Sequence, residues 1–283
     1  VPCPNAPTNY NPVGLYRKKF TVEPSMLASD RRISIQFDGV ESAYYVYVNG
    51  KEVGYSEDTF SPHRFDITDY LTSGENTLAV EVHKFCDGTW FEDQDMIYDG
   101  GIFRDVFLVS SPNVQISDYS VRTDLDDSFK NAVLGISADI TNITPESRNG
   151  LTVQAEAFDE NGYNILADTG TVVPKVDAWG KTTVDFSVNV SSPKLWSAEN
   201  PNLYALVLTL RDPNGNIIET VSSQLGFREI SFTSTEVDWA YKVTTKYWQP
   251  IKINGKRLML KGVNRHDTDP FKGKTTTQKV LEE

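Results

Sequence analysis

Short stretches of alternating apolar and polar residues, cut by Gly, Asn, Pro and Asp, run through most of this chain. Side chains alternate across a strand with period two, so this texture commits the chain to half-buried β-strands. The clearest case is Tyr44-Tyr45-Val46-Tyr47-Val48, then Asn49-Gly50, then Lys51-Glu52-Val53-Gly54-Tyr55. Asn-Gly tolerates the positive φ of a type I′ turn, which predicts a tight hairpin. Further strands are expected at Ile33 to Phe37, Thr77 to His83 and Asp105 to Val109, with a turn at Gly74-Glu75-Asn76. Residues 1–112 therefore read as one antiparallel sandwich with no helix longer than about two turns.

Ser111-Pro112-Asn113 reads as a linker into a second sandwich over residues 113–230. Its strands are expected at Ile116 to Thr123, Val133 to Ile140, Leu151 to Phe158, Asn164 to Val173, Thr182 to Val190, Leu203 to Leu210 and Ile217 to Leu225. Asn161-Gly162 and Asn214-Gly215 mark hairpin turns. About seven strands in ~110 residues without a cysteine pair fit an immunoglobulin-like fold lacking its disulfide. Residues 231–283 change texture. Ile251-Lys252-Ile253, Asn254-Gly255 and Lys256 to Leu260 predict a hairpin whose second strand runs into Gly262-Val263-Asn264-Arg265-His266. Thr275 to Thr277 then caps a helix beginning at Gln278. A buried strand, a loop with His and Asp, and a helix are how a β/α barrel begins. Thr233 to Trp248 has no clear period.

The chain's 283 residues suffice for two domains and the start of a third. With 27 basic and 39 acidic residues the net charge is −12, which excludes a general binder of nucleic acid or anionic membrane. No run approaches the ~20 apolar residues that span a bilayer. Cys3 and Cys86 cannot build a disulfide scaffold or a thiolate zinc site; they are two free thiols or one long-range disulfide. The opening Val1-Pro2-Cys3-Pro4 and the ending Leu281-Glu282-Glu283, inside the expected helix, read as cuts from a longer protein. Scarce cysteine and no visible signal segment favour the cytoplasm, although a removed leader would be invisible.

Glu92-Asp93-Gln94-Asp95, between Asp87-Gly88-Thr89-Trp90-Phe91 and Asp99-Gly100-Gly101, is the first candidate site. Rings stack on the apolar faces of sugars, carboxylates accept hydroxyl hydrogen bonds, and clustered carboxylates also hold hard cations. A solvated acidic loop is the competing reading. Gly262 to Asp267 is the second candidate, because barrel active sites lie at the carboxyl ends of strands; ordinary loop hydrogen bonds are its alternative. Asn9 to Tyr16 reads as a structural entry into the first strand, and Gly226-Phe227-Arg228-Glu229 as a salt-bridged domain corner. His63 and His83 lack spacing partners for a metal or a triad and read as satisfied surface histidines.

In this order the motifs resemble the large bacterial β-galactosidases of glycoside hydrolase family 2. The resemblance is carried by Asn11-Pro12-Val13-Gly14-Leu15-Tyr16, Phe37-Asp38-Gly39-Val40-Glu41-Ser42-Ala43, Asn49 to Tyr55, Phe91-Glu92-Asp93-Gln94-Asp95-Met96 and Gly101-Ile102-Phe103-Arg104-Asp105-Val106. It continues with Pro193 to Tyr204, Gly226 to Glu229 and Gly262 to His266, and breaks over Thr233 to Gln249, which looks like an insertion. It implies a mainly β chain: a jelly-roll sugar-binding sandwich, an immunoglobulin-like sandwich and the truncated start of a (β/α)8 barrel. In such enzymes two barrel glutamates, an acid/base and a nucleophile, hydrolyse β-galactosides such as lactose with retention. Both would lie downstream of Glu283, so no catalytic residue is expected here and the chain alone is expected to be inactive.

What the resemblance carries over to this chain is narrower. Asp95 resembles the residue that contacts galactose and a monovalent cation, and His266 the histidine that hydrogen-bonds the galactosyl group. Asp87 resembles a carboxylate of a secondary divalent-metal site. Mg2+ and Na+ are the implied cofactors, and a homo-oligomer the implied assembly. A non-catalytic carbohydrate-binding or adhesion module is the rival reading, and a scaffold for an oligomer interface a third.

Overall fold

The computed structural model describes residues 5–92, 97–166, 169–232, 234–238, 244–248, 251–264, 266 and 268–282. Contacts divide the chain into two units, Val1–Ser111 with Val263–Glu283, and Pro112–Gly262.

In the first unit the strands are β1 (Val13–Thr21), β2 (Arg31–Phe37), β3 (Val40–Glu41), β4 (Ala43–Val48), β5 (Lys51–Ser56), β6 (His63–Asp66), β7 (Glu75–His83), β8 (Gly101–Ile102) and β9 (Val106–Pro112). They form a four-stranded sheet, β1-β7-β4-β5, a three-stranded sheet, β6-β2-β9, and the short pair β3-β8. The expected Asn49-Gly50 turn joins β4 to β5 with φ of 51° and 79°. Alternation places Ile33, Ile35 and Phe37 of β2 inward against Tyr44, Val46 and Val48 of β4. Phe37, Tyr44 and Phe65 meet there with ring centroids 5.1 to 6.2 Å apart, tilted or edge-on, the arrangement that aromatic quadrupoles prefer.

In the second unit β10 (Val114–Leu125), β11 (Ala132–Asn142) and β14 (Gly180–Val190) make one sheet. β12 (Thr152–Phe158), β13 (Thr171–Val172), β15 (Tyr204–Arg211) and β16 (Ile217–Leu225) make the other, in the order β13-β12-β15-β16. Every second residue of β11 (Leu134, Ile136, Ala138, Ile140) is buried with Val153, Ala155 and Ala157 of β12 and Leu206, Leu208 and Leu210 of β15. This immunoglobulin-like core is held by aliphatic packing, each fully buried Leu or Ile contributing ~1.5–3 kcal/mol.

The strand expected at Asn164 to Val173 is reduced to Thr171–Val172, and Ala167 and Asp168 of that stretch lie outside the described residues. Side chains take over from the backbone ladder here. Asn164 Oδ1 accepts the Ala157 and Leu166 amides, and Thr169 Oγ1 accepts the Ala155 amide while donating to its carbonyl. Such side-chain bonds offer the backbone an alternative to sheet pairing.

Residues 231–283, expected as one segment, are divided between the units. The chain from β17 (Ile230–Ser231) continues through a hairpin of β18 (Ser234–Asp238) and β19 (Thr244–Trp248). That pairing accounts for most of the stretch without a clear period. Residues 233, 239–243, 249 and 250 lie outside the described residues. β20 (Lys252–Ile253) and β21 (Lys256–Arg257) form the expected Asn254-Gly255 hairpin, and β20 pairs with β17. The buried strand expected up to Leu260 stops at Arg257, and Met259, Leu260 and Val263 are exposed. A barrel strand is covered by neighbouring parallel strands and outer helices. Among the described residues of this chain the only α-helix is α1 (Gln278–Glu282).

Candidate sugar and cation site

The acidic loop leaves β7 through one turn of 3-10 helix, Gly88–Trp90, whose N-cap is Asp87, its carboxylate accepting the Gly88 amide at 3.1 Å. Asn11, expected to be structural, pairs with the Phe85 backbone in both directions (2.8 and 3.0 Å) and so anchors the loop's entry. Glu92 turns back, its carboxylate accepting the amide (3.0 Å) and hydroxyl of buried Thr59. Tyr98 closes the base by donating its hydroxyl to the Glu92 carbonyl at 2.6 Å. The loop's rim is apolar: Phe91 and Ile97 are exposed, and Trp90 donates its indole N–H to the Asn5 carbonyl at 3.1 Å. Exposed rings beside acids are the composition a sugar surface calls for. Asp95 itself, with Asp93, Gln94 and Met96, lies outside the described residues. His266 is described and exposed, while its neighbours Arg265 and Asp267 lie outside.

Asp87 has company that sequence reasoning missed. One ligand atom each from Glu57, Cys86 and Asp87 lies within 4.8 Å of the others. Glu57 follows the end of β5 and Asp87 follows β7, strands that β4 separates in the sheet, so no local spacing could have joined them. Two carboxylate oxygens suit a hard cation such as Mg2+, which completes its shell with water. The soft thiol is the poorer ligand, and Cys86, a buried free thiol, is already in contact with the Ser42 hydroxyl at 3.1 Å. Burial and the nearby Glu57 carboxylate hold the Tyr55 phenol above its ordinary range.

The remaining sequence candidates are structural. Gly226 to Glu229 is a corner at which the Arg228 guanidinium stacks 4.4 Å from the Trp196 ring centroid; the expected salt bridge is not seen among the described residues. A Cβ on Gly226 would come within 3.0 Å of Trp196. His83 Nε2 lies 3.0 Å from a Glu81 carboxylate oxygen, and the His63 ring packs 4.5 Å from that of Phe65.

Residues 1–112 match glycosyl hydrolases family 2, sugar binding domain, residues 114–228 match glycosyl hydrolases family 2, and residues 243–283 match glycosyl hydrolases family 2, TIM barrel domain. The chain belongs to glycosyl hydrolase family 2. Among curated proteins of this family, a β-galactosidase of Priestia megaterium is 44% identical over 271 residues, covering 96% of this chain and 24% of that protein. A β-galactosidase of Clostridium acetobutylicum is 39% identical over 278 residues, covering 98% and 28%. The chain thus spans about a quarter of the length of these relatives. Among solved structures, Bacteroides uniformis β-glucuronidase 2 bound to a cyclophellitol-6-carboxylate aziridine superposes with a TM-score of 0.79 at 24% identity, over 96% of this chain and 32% of that one. A family 2 member from Bacteroides cellulosilyticus gives 0.77 at 24%, over 95% and 34%. At that identity the likeness is one of fold. As in the family, the chain joins a sugar-binding sandwich, an immunoglobulin-like sandwich and the beginning of the TIM barrel domain.

Proposed function

We propose that this chain is the amino-terminal part of a retaining β-galactosidase that removes terminal β-D-galactose from β-galactosides such as lactose. The observation that carries the reading is the 44% identity to a β-galactosidase over 96% of the chain. The Glu-Asp-Gln-Asp block supports galactose over a uronic acid, since carboxylates suit hydroxyl groups and repel a sugar carboxylate. In this reading the acid/base and the nucleophile are barrel glutamates supplied by the rest of the polypeptide. Asp95 contacts the galactosyl hydroxyls and a Na+ ion, and His266 donates to the same sugar. Glu57 and Asp87 hold a Mg2+ ion, two oxygens of a shell that water completes.

The protein acts in the cytoplasm as a homo-oligomer and binds no nucleic acid; the net charge of −12 supports the last point. No described helix is long and apolar enough to cross a membrane. The test is kinetic. In the polypeptide that carries this chain with its barrel, Asp95→Asn and His266→Phe should each lower kcat/KM by about tenfold or more, a loss of transition-state contact. Wild-type kinetics in either variant would remove the role given to that residue.

A further inference from the structure

Lys274 and Glu41 form an ion pair whose side chains are 5% and 2% exposed. The other ion pairs among the described residues keep both side chains at least 23% exposed. Stripping two charges of water is costly, so a buried pair is a poor device for stability and a better one for fixing an arrangement. The surroundings offset that cost. One Glu41 oxygen takes the ammonium, and the other accepts the amides of Asp99 (3.0 Å) and Gly100 (2.7 Å). The ammonium lies 5.8, 5.5 and 5.9 Å from the ring centroids of Phe60, Tyr98 and Phe103, within cation–π range of all three.

These contacts join two stretches far apart in sequence. Asp99 and Gly100 end the acidic loop that contains Asp95, and Tyr98, one wall of the ammonium's cage, closes that loop's base on Glu92. Lys274 belongs to the segment that follows His266. That segment is held further by Thr275, whose hydroxyl donates to the Phe103 carbonyl at 3.1 Å. Its approach is close: a Cβ on Gly273 would lie 2.9 Å from an Asp99 carboxylate oxygen.

We propose that Lys274 is a positioning residue: paired with Glu41, it clasps the segment after His266 onto Asp99 and Gly100 at the base of the acidic loop and so holds both for sugar binding. This rests on the reading that Asp95 and His266 contact the galactosyl group. Lys274→Met keeps the packing against the rings, which favour a thioether, and removes only the ammonium. Because it leaves Glu41 buried without a counter-charge, Glu41→Gln with Lys274→Met is the companion variant; the Gln oxygen still accepts the Asp99 and Gly100 amides.

The experiment is a double-mutant cycle in the polypeptide that carries the barrel. It reads kcat/KM on a chromogenic galactoside and the Kd of a non-hydrolysable thiogalactoside, well below each variant's Tm. Removing the ammonium should weaken both about tenfold, and less than about twofold when Asp95→Asn has already removed the loop's contact. Equal losses in both backgrounds, or no loss in a folded variant, would overturn the proposal; if Lys274→Met does not fold, the Gln/Met variant decides it by the same criterion. Wild-type behaviour of Asp95→Asn would instead overturn the sugar-contact reading, which separates the two failures.

Discussion

The root of the acidic loop should be the first part of the site to open when Glu92 is truncated. Thr59 is 1% exposed, and its amide and hydroxyl both donate to the Glu92 carboxylate, the amide at 3.0 Å. Glu92→Ala removes the acceptor and leaves two buried donors. A hydrogen bond to a charged group is worth ~1.5–3 kcal/mol, and a buried unsatisfied donor costs ~1–3 kcal/mol. Water reaching half-buried Glu92 recovers part of this, so a local cost of about 2 kcal/mol is expected. Neither residue belongs to the buried cluster of Phe37, Tyr44 and Phe65, so the cost falls on local opening and not on global unfolding. At ~1.4 kcal/mol per factor of ten, native-state hydrogen exchange at the Thr59 amide should quicken about 30-fold. Glu92→Gln, which keeps one acceptor oxygen, should give about fivefold. Unchanged Thr59 protection in Glu92→Ala would refute the claim that this carboxylate anchors the loop.

Two further outcomes follow from the electrostatics. Mn2+ titration followed by electron paramagnetic resonance should show one divalent site that is lost in Glu57→Gln with Asp87→Asn; unchanged stoichiometry would move the cation elsewhere. Hydrogen bonds from the Lys130 amide and then the Ser128 hydroxyl lower the Asp126 carboxyl from 3.8 to about 2. A carboxyl depressed in the folded state stabilises above its unfolded value and loses that contribution as pH falls through the folded one. Asp126→Ala should therefore lower Tm at pH 6, with the difference from wild type closing between about pH 4 and 2; a pH-independent difference would contradict this.

What the sequence disclosed was what is local. The Asn49-Gly50 hairpin needs only a turn dipeptide and the alternation beside it, and strands β2, β7, β11 and β15 follow from alternation alone. Asn164 to Val173 misled because its alternation is genuine but it meets the β12 backbone largely through its own side chains, Asn164 and Thr169, in place of a ladder. The strand up to Leu260 misled for another reason: its apolar run suits a barrel interior, and burial there depends on strands other than its own. At the site, Asp87 flanks the acidic block, and only the family resemblance pointed to it as a metal ligand. Glu57 was not legible, because tertiary folding alone brings the end of β5 beside it. Lys274 looks like any surface lysine until Glu41, more than two hundred residues earlier, is seen to bury it. Gly226 to Glu229 could be placed at a corner, but the partner of its Arg228 is a ring, which charge pairing does not reveal.

The most direct measurement is proton NMR of the first sugar released from an aryl β-galactoside by the polypeptide that carries the barrel, run beside the purified 283-residue chain. The account predicts β-galactose as the first-formed anomer from the former and no hydrolysis by the latter. First release of α-galactose, or turnover by the purified chain, would contradict it.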